Sequence, residues 1–235
     1  MNKIANYFKK TFMVLVFVAP FIITNNSNAQ SGIHIGANGG LNSTYIINQN
    51  GWSKYNLDYS ITLRKSYGIL LAYNLNENIG FQTELNFLEV GQKYHGKVGN
   101  IEVKRNLHIK QMQIPLLLKI SNKNSNKRTY MLIGPAFGLN QKQTETLNII
   151  NVNTTDEDVT RKFNDRDTQI LFEVGSGIFL TKRLYVNVGF RGAMSLYNIN
   201  STDWKIPNKN GKTASYNAYT GLSFGCQYYI PLTKY

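Results

Sequence analysis

The sequence predicts an all-β chain: an eight-stranded antiparallel up-and-down transmembrane β-barrel, preceded by a cleaved signal peptide. Three observations predict it. Eight segments alternate apolar and polar residues with period two, the connections between them alternate long and short, and the N-terminus has the layout of an export signal.

The leader comes first. Lys3, Lys9 and Lys10 make a basic start, residues 11–23 are apolar except Thr11 and Pro20, and Ser27-Asn28-Ala29 is a small-residue approach to a cut before Gln30. That order of basic region, apolar region and cleavage site defines a secretory signal peptide. The apolar run falls short of the roughly 20 residues that a membrane-anchor helix needs. No Cys follows the cut, so a lipoprotein is not expected. The expected division is residues 1–29 as signal peptide and 30–235 as one barrel domain.

The first segment, residues 32–45, sets Ile33, Ile35, Ala37, Gly39 and Leu41 against His34, Gly36, Asn38, Gly40 and Asn42. The second, 66–75, groups Tyr67, Ile69, Leu71, Tyr73 and Leu75. In the third, 79–92, Ile79, Phe81, Leu85 and Phe87 oppose Gly80, Gln82, Glu84 and Asn86. The fourth, 107–120, sets Met112, Ile114, Leu116 and Leu118 against Gln111, Gln113 and Lys119. The fifth, 129–140, gives an apolar face of Met131, Ile133, Pro135, Phe137 and Leu139. The sixth, 168–180, shows Ile170, Phe172, Val174, Ile178 and Leu180, and the seventh, 184–196, shows Leu184, Val186, Val188, Phe190 and Met194. The eighth, 216–230, carries Leu222, Phe224, Cys226, Tyr228 and Ile230 opposite a polar, Gly-rich face. Period-two alternation is the strand signal, and a small polar face suits the crowded interior of a tightly curved barrel.

The connections carry more weight. Residues 46–65, 93–106, 141–167 and 197–215 are long, whereas Asn76-Glu77-Asn78, residues 121–128 and Thr181-Lys182-Arg183 are short. Long loops on one side and short turns on the other characterise outer-membrane barrels, whose short turns are periplasmic. A soluble β-sandwich has no reason to sort its loops by side. Tyr45, Tyr67, Tyr94 and Tyr216 fall toward the long-loop ends, and Tyr73 and Tyr228 toward the short-turn ends, as two interfacial girdles would.

Mean hydropathy is −0.29, which a barrel tolerates because only half of each strand faces lipid. The leader removes three lysines and no acids, taking the formal net charge from +13 to +10. Export argues against nucleic acid as the partner of that charge and favours phosphate-bearing lipid headgroups, although a basic soluble surface would carry the same charge. The single Cys226 excludes an internal disulfide and a cysteine metal site.

The stretch Gln113-Ile114-Pro115-Leu116-Leu117-Leu118-Lys119, then Leu132-Ile133-Gly134-Pro135, preceded by Glu84-Leu85-Asn86-Phe87 and Gly91, resembles the PorT-like outer-membrane β-barrel family. Small OmpA/OmpX-like barrels share that architecture. The resemblance covers essentially the whole mature chain. It implies an eight-stranded barrel in the outer membrane of a Gram-negative cell and, through the family's namesake, a role in protein secretion.

Candidate site residues follow from the strand faces. An eight-stranded barrel is just wide enough to be filled by its own side chains. The inward faces place Glu84, Lys119, Glu173 and Arg191 in the lumen, and buried charges are tolerated only when paired. If Leu180 faces Leu184 across the short turn, register sets Glu173 opposite Arg191, a lumenal ion pair that plugs the barrel. The competing reading is a polar binding or proton pathway. Trp52, Lys54, Lys104, Arg105, Trp204 and Lys205, with Lys97, Lys209 and Lys212, give the long loops basic and aromatic contacts for lipopolysaccharide phosphates or a protein partner, or simply a solvated surface.

Catalysis would need a nucleophile and an acid beside His34, His95 or His108, and none is identifiable by sequence. Asp156-Glu157-Asp158, Asp165 and Asp167 offer hard oxygen ligands, but Arg161, Lys162 and Arg166 interleave and point to a self-paired loop. No cofactor is expected. The expected role is structural, binding or secretion-accessory, without catalysis. A narrow or gated channel is the alternative, and an outer-membrane lipid-modifying enzyme the third reading. Outer-membrane lipid and lipopolysaccharide, the barrel-assembly machinery during biogenesis, and a secretion-system or surface partner are the expected partners.

Overall fold

The structure, a computed structural model, describes residues 32–48, 58–98, 101–124, 127–149, 153–201 and 214–232. The expected signal peptide, Trp52, Lys54, Trp204, Lys205, Lys209 and Lys212 lie outside them. The strands are β1 (Gly32–Asn48), β2 (Asp58–Ser60), β3 (Leu63–Asn74), β4 (Ile79–Val98), β5 (Ile101–Asn124), β6 (Lys127–Ile149), β7 (Asn153–Asp158), β8 (Arg166–Phe179), β9 (Leu184–Ser195) and β10 (Ser215–Pro231).

Eight of these, β1, β3, β4, β5, β6, β8, β9 and β10, pair antiparallel with their chain neighbours, and β10 pairs back onto β1 from Gly32↔Pro231 to Asn48↔Ser215. The ring is therefore closed, which removes every exposed edge that lipid could not hydrate. Alternation sorts the side chains as the sequence predicts. Leu71, Phe81, Leu116, Phe172, Phe190 and Phe224 are exposed on the outer wall, while Glu84, Gln113, Leu132, Leu171 and Tyr219 are buried in the lumen. An apolar belt of this extent is tolerated on a surface that meets lipid. Cys226 lies on it, exposed.

Two of the short turns are built by side-chain acceptors. Asn76 Oδ1 accepts from the backbone N–H groups of Asn78 (2.8 Å) and Ile79 (2.7 Å). Thr181 Oγ1 accepts from those of Arg183 (3.2 Å) and Leu184 (3.0 Å). Both replace the lost ladder bonds at the reversal.

The long-loop end differs from expectation. A strand needs about 9–11 residues to cross a bilayer, yet β4, β5 and β6 have 20, 24 and 23. Their surplus pairs with β2 and β7 to make a five-stranded sheet beyond the belt, with Tyr59, Tyr94, Arg105, Leu147 and Thr155 as one cross-strand row. Residues 93–98, 101–106, 141–149 and 153–158 are thus strand rather than loop. Their hydropathy hides it, because both faces carry polar residues. Tyr94 is correspondingly not a girdle residue: it points to the inner face, is buried, and has the Arg105 guanidinium over its ring.

Gly91, the last residue of the Glu84-Leu85-Asn86-Phe87 motif, sits where β4 leaves the barrel wall. Its φ is +128°, and a Cβ there would lie 2.1 Å from the Leu107 carbonyl oxygen. Its own carbonyl accepts a hydrogen bond from Thr44 Oγ1 at 2.8 Å. Gly91→Ala is expected to cost about 1–3 kcal/mol, since non-Gly residues are strained there. Urea midpoints of the two proteins in the same vesicles check this, and equal midpoints would contradict it.

Candidate functional site

The lumen is the candidate site, and it is filled in layers. In the middle layer, Arg191 of β9 donates to Glu84 of β4 through both terminal nitrogens, Nη1 to Oε2 at 2.7 Å and Nη2 to Oε1 at 2.8 Å. Its Nε donates to Glu173 Oε2 at 2.5 Å. β8 and β9 are neighbours, with Glu173↔Arg191 as register partners. β4 and β9 are four strands apart in either direction around the ring. One guanidinium therefore ties adjacent strands together and also spans the full width of the barrel. Sequence reasoning placed Glu84 in the lumen without its partner, because nothing local links positions 107 residues apart.

The Glu84 carboxylate is saturated, and each Glu173 oxygen has one donor. Glu84 also accepts from Asn38 Nδ2 (2.7 Å), Gln82 Nε2 (2.6 Å) and Asn86 Nδ2 (2.7 Å). The Tyr130 hydroxyl donates to Glu173 Oε1 at 2.6 Å and accepts from Asn187 Nδ2 at 2.8 Å. Charge-assisted bonds of this kind are short and strong. Tyr130→Phe leaves Glu173 without one donor and Asn187 without an acceptor in a buried setting. It is expected to lower stability by about 1–3 kcal/mol, read from the urea midpoint. An unchanged midpoint would show that the phenol is dispensable.

Toward the short-turn end lie Lys119, Arg128, Tyr185 and His34, whose Nε2 is 2.9 Å from Asn74 Nδ2. Lys119 is 2% exposed, and its Nζ has no hydrogen-bond partner among the described residues. A cavity of about 10 Å³ lies beside it, lined also by Tyr130, Glu173, Asn187 and Gln227. That is room for roughly one water. Toward the long-loop end, Gln113 Nε2 donates to Gln169 Oε1 (2.7 Å), and Gln169 Nε2 donates to Asp167 Oδ2 (2.6 Å). Asn217 Nδ2 donates to the same Asp167 oxygen at 3.0 Å. Val90, Ile109, Val159, Phe163 and Ile199 are buried in the apolar cluster beyond them.

Among the described residues the fully buried acids and strong bases balance: Glu84, Asp167 and Glu173 against Lys119, Arg128 and Arg191. Asp167 and Arg128 fall in segments that the sequence assigns to connections. Both are strand residues facing inward, so extension of β6 and β8 brings them into the lumen.

The remaining candidates disperse. Lys104 is exposed and pairs with Glu102 at 3.0 Å. Arg105 points inward, its Nε 2.6 Å from Glu145 Oε1. Asp156 and Asp158 are exposed on β7, Glu157 meets Lys162 at 3.1 Å, and Asp167 is lumenal. No three His, Cys, Asp or Glu side chains converge among the described residues.

His108 Nε2 lies 3.4 Å from Glu89 Oε2 on the outer wall. Burial, with Arg64 close by, holds this imidazole below its ordinary value against the pull of Glu89. Burial likewise pushes the Tyr94 phenol up. Ser60 Oγ is 2.8 Å from His95 Nδ1, a contact created by the pairing of β2 with β4. It is exposed, and among the described residues no carboxylate pairs with His95 to orient the ring as a triad would need.

The sequence pattern described as an outer membrane protein β-barrel domain matches residues 26–201. Solved structures resemble the chain at low identity. OprG of Pseudomonas aeruginosa is 13% identical, with 87% of this chain and 98% of that one covered and a TM-score of 0.48. Ail of Yersinia pestis is 10% identical, covering 85% and 99%, with a TM-score of 0.39. Outer membrane protein W of E. coli is 11% identical, covering 84% and 99%, with a TM-score of 0.37. No curated protein is a significant match to the chain.

Proposed function

This chain belongs to the outer membrane protein β-barrel domain family and resides in the cell outer membrane, and from that premise we propose that it is a sealed, non-catalytic barrel that works from its outer end. One observation carries the reading: Arg191 crosses the lumen between Glu84 and Glu173, and the cavity beside them has room for roughly one water. A lumen closed this way conducts nothing of metabolite size, and the ion network serves to hold the ring together. The parts left to act are the five-stranded sheet beyond the lipid belt and the connections around it.

A structural, surface-binding or secretion-accessory role follows, the last supported by the resemblance of the Gln113–Lys119 strand to PorT-like barrels. Outer-leaflet lipid, lipopolysaccharide and a surface or secretion partner are the corresponding neighbours, with the barrel-assembly machinery acting during insertion. Swelling of sugar-loaded vesicles containing the folded protein tests the seal. Vesicles with and without protein are expected to swell at the same rate. Faster swelling with protein would replace this reading with the narrow or gated channel.

A further inference from the structure

The outer wall changes character abruptly where β5 and β6 leave the lipid belt. Met112 and Leu139 are register partners and the last apolar pair on this face. The next outward pair is Lys110↔Lys142, both exposed. Directly paired residues send their side chains to the same face from Cα atoms about 5 Å apart, and like charges so placed repel. Neither ammonium lies within ion-pair distance of a carboxylate among the described residues, although Asp158 on β7 is near enough to feel the Lys142 charge. Glu89, the register partner of Lys110 on the other side, turns to His108 instead.

The backbone is irregular at the same level. Gln111 pairs with Asn140 but Lys110 pairs with Lys142, so Gln141 is an extra residue in β6. A bulge of this kind re-aims the side chains beside it, and here it makes Gln141 and Lys142 exposed in succession. Lys65 of β3 and Arg166 of β8, both exposed, stand at the same edge on the strands flanking β4 and β6.

We propose that the Lys110–Lys142 pair at this bulge binds the phosphate of an outer-leaflet lipid headgroup. The site rests on the membrane placement given above. An anion between the two ammonium groups turns their repulsion into two charge-assisted contacts. The acyl chains of the same lipid then lie on Met112, Ile114, Phe137 and Leu139 directly beneath. A soluble anion would use only the cationic half of this surface, so the lipid is the occupant.

The test uses the whole folded protein in phosphatidylcholine vesicles containing bis-phosphorylated lipid A. It is then extracted in mild detergent, and the bound lipid is counted by native mass spectrometry. The natural protein is expected to retain lipid A. Lys110→Ser with Lys142→Ser should retain about tenfold less, the effect of losing charged hydrogen bonds. Lys182→Ser, at the short-turn end, should change nothing, and lipid A stripped of its phosphates should not be retained. Equal retention by the natural and doubly substituted proteins overturns the proposal, as does equal retention of the phosphate-free lipid. Release of lipid A by excess inorganic phosphate would also overturn it, in favour of a free-anion site. A gel-mobility shift on boiling is read for each protein. A natural protein lacking the shift shows that the membrane placement has failed rather than the lipid site.

Discussion

Arg191→Met is expected to lower the unfolding free energy of the barrel by about 3–5 kcal/mol. Met has a similar length but no charge, so the substitution leaves Glu84 and Glu173 facing one another in a filled lumen with no cation between them. Glu84 keeps three amide donors and Glu173 keeps Tyr130, but none of these carries charge. Removing one partner of a buried ion network costs more than removing all of it. Adding Glu84→Gln and Glu173→Gln to Arg191→Met should therefore recover a large part of the loss. The check is the urea midpoint in vesicles of the single and triple variants. A single variant within about 1 kcal/mol of the natural protein would mean that the guanidinium is not what closes the lumen.

Leu116→Arg is expected to cost about 2–4 kcal/mol, because arginine near the middle of a lipid-facing wall must be buried in hydrocarbon. The measurement separates two readings of one number. Leu116 is 53% exposed, and an exposed leucine on a soluble protein is replaced within about 0.5 kcal/mol. Unfolding from vesicles gives the difference directly. A near-neutral substitution would mean that this wall meets water, and the belt would need another explanation.

Much of the ring was legible in the sequence, for a physical reason. Lipid on one side and a packed lumen on the other impose period two on every spanning strand, so Gln111-Met112-Gln113-Ile114 already shows its two faces. The tight turn after Leu180 fixes register by counting, which sets Glu173 against Arg191, and the structure has these positions paired. The bidentate partner of Arg191 was not legible. It sits on the opposite wall, and only closure of β10 onto β1 makes that wall face it.

The outer sheet was hidden for a different reason. Beyond the belt both faces of a strand carry polar residues, so Gln92, Gln143 and Glu145 point inward without leaving a hydropathy signal. Pairing there comes from continuation of the β4–β5 and β5–β6 ladders, with Gly91 supplying the backbone conformation needed at the junction. Asp156, Glu157, Asp158 and Asp167, expected in a self-paired loop, lie on β7 and β8 instead, with Glu157 paired to Lys162. Strand alternation and the path of the chain send these carboxylates to separate places.

Gel mobility of the protein recovered from outer-membrane fractions, compared with and without boiling in detergent, tests the central claim most directly. A closed barrel held by continuous ladders and the Arg191 network stays compact until boiled, so the unboiled protein should run ahead of the boiled one. Identical mobilities, with the protein recovered from the soluble periplasmic fraction, would contradict a membrane-spanning barrel and leave the same strands to a soluble fold.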